Sequence, residues 1–257
     1  MSQWIVKWGP ERVEPELRLF CFPYAGGGAA AFRLWPRLLP EWVEVCAIQP
    51  PGRGNRIRER PMSDLMGLVE AAGCEMSNLL DRPFAVFGHS MGAIVASEVC
   101  RKLEQSGGPV PLQLFVSARR PPRIPDPNPP LRQLSDADFI AEVNRRYDAV
   151  PAEIMAEPDV LALLLPGLRA DIEALETHRS PDAAPMRTPI MALGGESDFL
   201  TPRSHLTAWR DETSGSWELR LFPGGHFYID SMRREVVQEI SRVLRRRFDD
   251  LSQEMLS

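Results

Sequence analysis

The sequence predicts an α/β fold with a mostly parallel central sheet and helices on both faces. Short, nearly continuous apolar runs alternate with longer segments of helical periodicity, which is typical of strands buried on both sides. The length of 257 residues suits one domain with a large core. A hydrophobic share of 44% and a charged share of 25% exclude a fibrous or wholly disordered chain.

Six apolar runs that each lead into a turn are predicted to be strands: 17–27, 43–52, 84–90, 111–119, 189–195 and 217–225. Helices are predicted between and after them, over 63–80, 91–105, 203–212 and 231–248. The last helix has an apolar stripe, opposite several arginines, formed by Val236, Val237, Ile240, Val243, Leu244 and Phe248. Strands that alternate with helices over this length predict parallel pairing.

A long segment before the fifth strand interrupts this alternation. Residues 121–130 contain six prolines and exclude a helix interior or a central strand. Two helical blocks follow: Ser135 marks the start of the first, and Pro166-Gly167 predicts a kink or break in the second. We expect 120–185 to be a helical insertion within a single domain spanning 1–257. Its apolar surface either packs wholly on the sheet or forms a lid over a substrate pocket.

Charge and cysteine usage narrow the class of partner. The net charge is −5 and gives no overall basic character, so we expect no nucleic-acid partner. No apolar run is long enough to span a membrane, and no signal peptide precedes the first strand. Four scattered cysteines lack metal-ligand spacing: Cys21, Cys46, Cys74 and Cys100. Cys21 and Cys46 lie in apolar, strand-like runs and are predicted to be buried, unreactive thiols. We therefore expect a cytoplasmic protein that needs no metal or cofactor.

Residues 88–92 carry the strongest chemical signal, a G-x-S-x-G motif between a predicted strand and an apolar helix. A sharp strand-to-helix turn exposes the serine hydroxyl, and it requires small neighbours such as Gly88, Gly92 and Ala93. Ser90 is therefore the predicted nucleophile. The backbone N–H of the next residue, Met91, is one predicted donor to the oxyanion that forms during acyl transfer.

A serine nucleophile needs a general base, and the chain has four histidines. His226 follows the last strand and the flexible Pro223-Gly224-Gly225, which fits the chain order serine, acid, histidine. His89 should point away from the Ser90 hydroxyl because it is the variable residue of the turn. His178 and His205 are interpreted as surface or packing residues.

The acid of such a triad should end a strand between the nucleophile and the base. Asp198 follows the strand of residues 189–195 and could hold the tautomer of His226. Glu196, two residues earlier, is the rival. Asp171, in the middle of a helix of the insertion, is interpreted as a structural or substrate-side residue.

A second oxyanion donor should come from the glycine-rich loop after the first long strand, over 22–28. The loop lacks the lysine of a P-loop and the spacing of a dinucleotide-binding turn, which argues against a phosphate cradle.

Together these motifs resemble the type II, or editing, thioesterases of nonribosomal peptide and polyketide synthases, which belong to the α/β-hydrolase superfamily. The likeness covers about residues 16 to 247 and rests on five segments: Phe22 to Gly27, Pro51 to Arg56, Gly88 to Ala93, Leu168 to Asp171, and Pro223 to Phe227. Many members have histidine where this chain has Tyr24. That difference weakens any side-chain role at this position but leaves the neighbouring backbone donor.

The resemblance implies an α/β-hydrolase fold with a lid at 120–185. It also implies a triad of Ser90, Asp198 and His226, with oxyanion donors at Ala25 and Met91. Such an enzyme removes aberrant or stalled acyl groups from the phosphopantetheine thioester of acyl or peptidyl carrier proteins, through an acyl-enzyme on the serine. The phosphopantetheine arrives on the substrate. Two alternatives remain open: a carboxylesterase or acyltransferase on the same fold, and a non-catalytic ligand-binding protein.

Overall fold

The computed structural model describes residues 3–9, 14–148, 150–180 and 183–254. Its strands are β1 (Ile5–Val6), β2 (Leu17–Phe22), β3 (Val43–Ile48), β4 (Phe84–His89), β5 (Leu114–Ser117), β6 (Ile190–Gly195) and β7 (Trp217–Phe222). Its helices are α1 (Leu65–Ser77), α2 (Met91–Gln105), α3 (Asp136–Tyr147), α4 (Ala152–Met155), α5 (Pro158–Thr177), α6 (Arg203–Thr207), α7 (Tyr228–Ser231) and α8 (Arg233–Glu254).

Within the described residues, the strands form one sheet in the order β1-β3-β2-β4-β5-β6-β7. All neighbours from β3 to β7 pair in parallel, which confirms the predicted fold class. β1 was not predicted and pairs antiparallel with β3, Ile5 opposite Ile48. A strand of two residues is too short to show a periodic pattern.

Helices cover both faces of the sheet and bury two apolar layers. α1 and α2 pack against one face, where Val69, Ile94 and Val99 meet Phe20 and Val116. The other face is covered by α8 and by short turns near the N-terminus. The predicted α8 stripe is confirmed at five positions with no exposed surface: Val236, Val237, Ile240, Val243 and Leu244. Because a parallel sheet shielded on both sides has its loops at its two ends, the carboxyl edge is the available place for a site.

The expected insertion corresponds to the chain between β5 and β6, although its residues 149, 181 and 182 lie outside the described ranges. Ser135 begins α3 and accepts a hydrogen bond from the backbone N–H of Asp138. The predicted break at Pro166-Gly167 is wrong, because α5 runs continuously through Pro166. A proline removes one backbone donor, but here the helix continues past it. Gly167 is buried and lies against the carbonyl of Gly52.

One of the predicted helices is interrupted in the structure. The predicted helix 203–212 divides into α6 and a 3₁₀ turn over Ala208–Glu212. Among the described residues, no helix combines the length and the apolar character needed to cross a membrane.

Candidate active site

The turn between β4 and α2 presents Ser90 at the carboxyl edge of the sheet. Ser90 has φ 53° and ψ −116°, an unfavourable conformation for a non-glycine residue that the surrounding structure must enforce. Its N–H donates to the Ser117 carbonyl at 2.8 Å. A side chain at Gly88 would collide with the Gly92 backbone, and one at Gly92 with the backbone of Phe22. The small flanking residues are therefore a steric requirement of the turn.

The structure brings Ser90, His226 and Asp198 into one hydrogen-bonded chain. His226 Nε2 lies 3.0 Å from Ser90 Oγ, and His226 Nδ1 lies 2.9 Å from Asp198 Oδ2. All three residues are buried. In this arrangement the imidazole can take the hydroxyl proton while the carboxylate holds the opposite ring nitrogen. The chemical roles of the three residues remain predictions.

The loop after β6 selects Asp198 over Glu196 as the partner of His226. Asp198 Oδ1 accepts backbone hydrogen bonds from Leu200 at 3.1 Å and Thr201 at 3.3 Å, which aims Oδ2 at the imidazole. The Ser197 N–H donates to the Gly224 carbonyl at 2.9 Å and joins this loop to the one that carries His226. Glu196 is exposed. Its side chain has no hydrogen bond or ion pair within the described part of the chain.

The other three histidines lie outside this chain of hydrogen bonds. His89 is fully buried, and its Nδ1 lies 2.8 Å from Ser117 Oγ. Burial, reinforced by His226, holds the pKa of His89 well below its ordinary value and keeps the ring neutral at pH 7. His178 pairs with Glu98 at 3.2 Å, and His205 belongs to α6.

Asp171 of α5 bonds the backbone of the glycine-rich loop that follows β2. It has no exposed surface, and its Oδ2 accepts the Gly26 N–H at 2.7 Å. Arg53 donates to both oxygens of Asp171, at 2.5 and 2.9 Å, and to the Gly27 carbonyl at 3.1 Å. A helix residue and an arginine from the loop after β3 therefore fix the two residues that follow Ala25, the predicted donor. This role of Arg53 was missed from sequence, because the two residues lie 118 positions apart.

Aromatic rings surround His226. The ring centroid of Tyr147, the last residue of α3, lies 5.3 Å from that of His226. No sequence motif pointed to Tyr147 as a neighbour of the histidine. Tyr24 packs edge to face on Phe227 at 4.9 Å and on His89 at 5.9 Å. Tyr24 is therefore a packing residue of the site, which accounts for an aromatic ring at this position.

Known proteins are similar to this chain in sequence and in fold. Residues 17–244 match the family model described as a thioesterase domain. The gramicidin S biosynthesis protein GrsT of Aneurinibacillus migulanus is 38% identical over 90% of this chain and 90% of its own length. The RedJ thioesterase of the prodiginine pathway in Streptomyces coelicolor superposes with a TM-score of 0.83 at 34% identity, covering 91% of this chain and 95% of RedJ. YbtT, a type II thioesterase from the yersiniabactin pathway, gives 0.85 at 30% identity, covering 95% and 99%.

The fold and the matched domain define a thioesterase of the α/β-hydrolase superfamily. Within it, the chain belongs to the type II thioesterases of nonribosomal peptide and polyketide synthase pathways. It is accordingly a thioester hydrolase, and the resemblance stated from its motifs is confirmed.

Proposed function

We propose that the enzyme hydrolyses aberrant or stalled acyl groups held as phosphopantetheine thioesters on acyl or peptidyl carrier proteins. The observation that carries this proposal is the hydrogen-bonded chain from Ser90 through His226 to Asp198. Membership of the thioesterase family supports a thioester as the bond that is cleaved. The link to synthase pathways supports carrier proteins as the partners that carry it. Four free cysteines, three of them buried, favour a reducing compartment such as the cytoplasm.

The reaction begins when Ser90 Oγ attacks the thioester carbonyl carbon and gives its proton to His226 Nε2. Asp198 stabilises the imidazolium through Nδ1–H. The backbone N–H groups of Met91, the first residue of α2, and Ala25 donate to the oxyanion. The C–S bond then breaks, and His226 returns the proton to the departing thiolate sulfur. Water, deprotonated by the same imidazole, releases the acyl group as a carboxylic acid and restores Ser90.

The helical segment between β5 and β6 is proposed to be a lid on a single domain. Its α5 contributes Asp171, which bonds the loop that contains Ala25. A lid attached at this point would link closure over the substrate to the placement of the oxyanion donor.

Release of acyl groups from a panel of loaded carrier proteins, scored by mass spectrometry, tests the function. We expect Ser90→Ala to lower thioester turnover by at least about 10³-fold. Ser97→Ala is the matched control, because Ser97 is a buried serine of α2, the helix that follows Ser90, and its hydroxyl donates to the Ile94 carbonyl.

Three results would contradict the proposal. Faster cleavage of matched oxygen esters would indicate a carboxylesterase, and transfer to an added alcohol or amine would indicate an acyltransferase. Absence of turnover together with no labelling of Ser90 by a fluorophosphonate would indicate a non-catalytic binding protein.

A further inference from the structure

A cavity of about 570 Å³ lies beside the triad, between the end of β5 and the helices that follow it. Ile94 lines it from α2, one helical turn after Ser90. Tyr147 lines it from α3, with its ring 5.3 Å from that of His226. Ile94 and Tyr147 therefore connect the cavity to the surroundings of Ser90 and His226.

Arg119 lines the same cavity and differs from the buried arginines of the described structure. Each buried arginine pairs with a carboxylate: Arg18 with Glu44, Arg53 with Asp171, Arg56 with Glu59, Arg101 with Glu212, and Arg120 with Asp126. Arg119 has no ion pair among the described residues. Its Nε is buried without a hydrogen-bond partner there, and its guanidinium contacts the side chain of Tyr147.

The positive charge of Arg119 is not balanced by a carboxylate of its own among the described residues. Asp126 acts on it electrostatically but is already paired with Arg120, so two guanidinium groups share one carboxylate. Burial lowers the pKa of Arg119, although a guanidinium remains protonated in proteins. Arg179 also lines the cavity, and within the described residues it donates to the backbone carbonyls of Glu176 and His178 and to no carboxylate. A cavity with excess positive charge and a desolvated donor favours an anion.

The backbone holds Arg119 in place before any ligand arrives. Its carbonyl accepts the indole N–H of Trp209 at 2.7 Å. The preceding residue, Ala118, has φ 50° and donates its N–H to the Leu193 carbonyl at 2.9 Å. The backbone from which the guanidinium fork extends is therefore already in position, so binding does not require the main chain to be ordered.

We propose that Arg119 binds an anionic oxygen group of the thioester substrate, a phosphate or a carboxylate, inside this cavity. The inference rests on the proposed function, since it assigns a second contact to the same substrate. Two parts of that substrate carry the chemistry: the phosphate of the phosphopantetheine arm, and a carboxylate at the end of an acyl group. A bidentate pair with either would supply the counter-ion that the protein lacks at this position.

Four soluble thioesters separate the two sources. Acetyl-pantetheine and acetyl-4′-phosphopantetheine differ in the phosphate, and butyryl-pantetheine and succinyl-pantetheine differ in the carboxylate. We expect Arg119→Gln to raise KM about tenfold or more for the anionic member of one pair. It should leave the neutral members within about twofold of the unmodified enzyme. Arg145→Gln is the matched control, because Arg145 is an exposed α3 arginine paired with Glu142.

A second measurement is independent of hydrolysis. Calorimetric titration of 4′-phosphopantetheine and of succinyl-pantetheine into Ser90→Ala protein should show that adding Arg119→Gln weakens one of them about tenfold. The thermal midpoint should not fall, because Arg119 forms no ion pair among the described residues. Arg101→Gln should lower the midpoint, since it removes the buried ion pair between Arg101 and Glu212.

The outcomes separate this proposal from the proposed function. A shift confined to the phosphate pair or to the carboxylate pair supports the anion site and names its source. Equal changes for all four thioesters, or no change in KM and in binding, overturn it. Failure of the unmodified enzyme to cleave any thioester overturns the proposed function, while the titrations still decide the anion site.

Discussion

Two buried carboxylates bond residues of the candidate active site, and they come from different parts of the fold. Asp198 follows β6 and bonds His226, with its second oxygen fixed by backbone N–H groups two and three residues away. Asp171 projects from α5 and bonds Arg53 and the Gly26 N–H, across 118 and 145 positions of sequence. The sheet edge therefore orients the predicted proton-transfer groups, whereas the helical segment orients the loop that carries Ala25, the predicted oxyanion donor.

The two regions also differ in how they bury apolar surface. The sheet strands β2, β4, β5 and β6 are buried at every residue. The first half of α5 instead exposes Leu163 by 56% and Leu164 by 38%, while Ala170 and Asp171 in its second half are buried. A region with less buried surface opens at lower free energy, so the helical segment is where we expect substrate-dependent movement.

The largest expected effect tests the sheet side of this comparison. Asp198→Asn should lower kcat/KM by about 10³- to 10⁴-fold, because an amide no longer holds the imidazole in the required tautomer. Glu196→Gln, two residues earlier and exposed, is the control and should change kcat/KM by less than about twofold. Steady-state hydrolysis of an acetyl carrier thioester measures both, and the reverse ranking would move the acid role to Glu196.

An intermediate effect tests the helical side. Asp171→Asn keeps the shape of the side chain but leaves Arg53 buried without its counter-ion. The free energy of unfolding should fall by about 3–5 kcal/mol. Where the variant is folded, kcat should fall about 10- to 100-fold with less change in KM. The reason is that an oxyanion donor stabilises the transition state more than the bound substrate, so displacing it slows the chemical step.

Asp136→Asn is the matched control for that variant. Asp136 pairs with Arg169, and its side chain is 71% exposed, so its loss should cost less than about 1 kcal/mol of stability. Denaturant unfolding and turnover on the same samples give both quantities. A folded Asp171→Asn enzyme with unchanged kcat would show that Asp171 acts on the fold alone and not on the oxyanion loop.

The same contrast explains which parts of the site are predictable from sequence. Ser90, Asp198 and His226 each follow a strand of the sheet, and parallel strands bring their carboxyl ends to one edge. Their local patterns therefore suffice to place them together. Arg53, Tyr147 and Arg119 are defined by long-range packing, and no local periodicity records which segment a loop or helix end will contact. Even so, Arg119 lies two residues after the end of β5, so its position near a strand end was a usable signal.

The smallest expected effect asks whether the helical segment shapes a pocket for the acyl chain. Leu175 of α5 lines the cavity beside the triad, so Leu175→Trp should reduce the space available there. Leu163→Trp places the same indole on the exposed face of the same helix and serves as the control.

We expect Leu175→Trp to lower kcat/KM for a decanoyl carrier thioester about five- to tenfold more than for an acetyl one, as the loss of a few buried methylene contacts would produce. Leu163→Trp should leave that ratio unchanged. Thermal midpoints above the assay temperature would show that both variants are folded, since overpacking alone costs about 1–3 kcal/mol. Equal losses for both chain lengths would indicate that the cavity does not hold the acyl chain. In that case the helical segment would act on catalysis only through Asp171, and the cavity would remain available for the phosphate end of the arm.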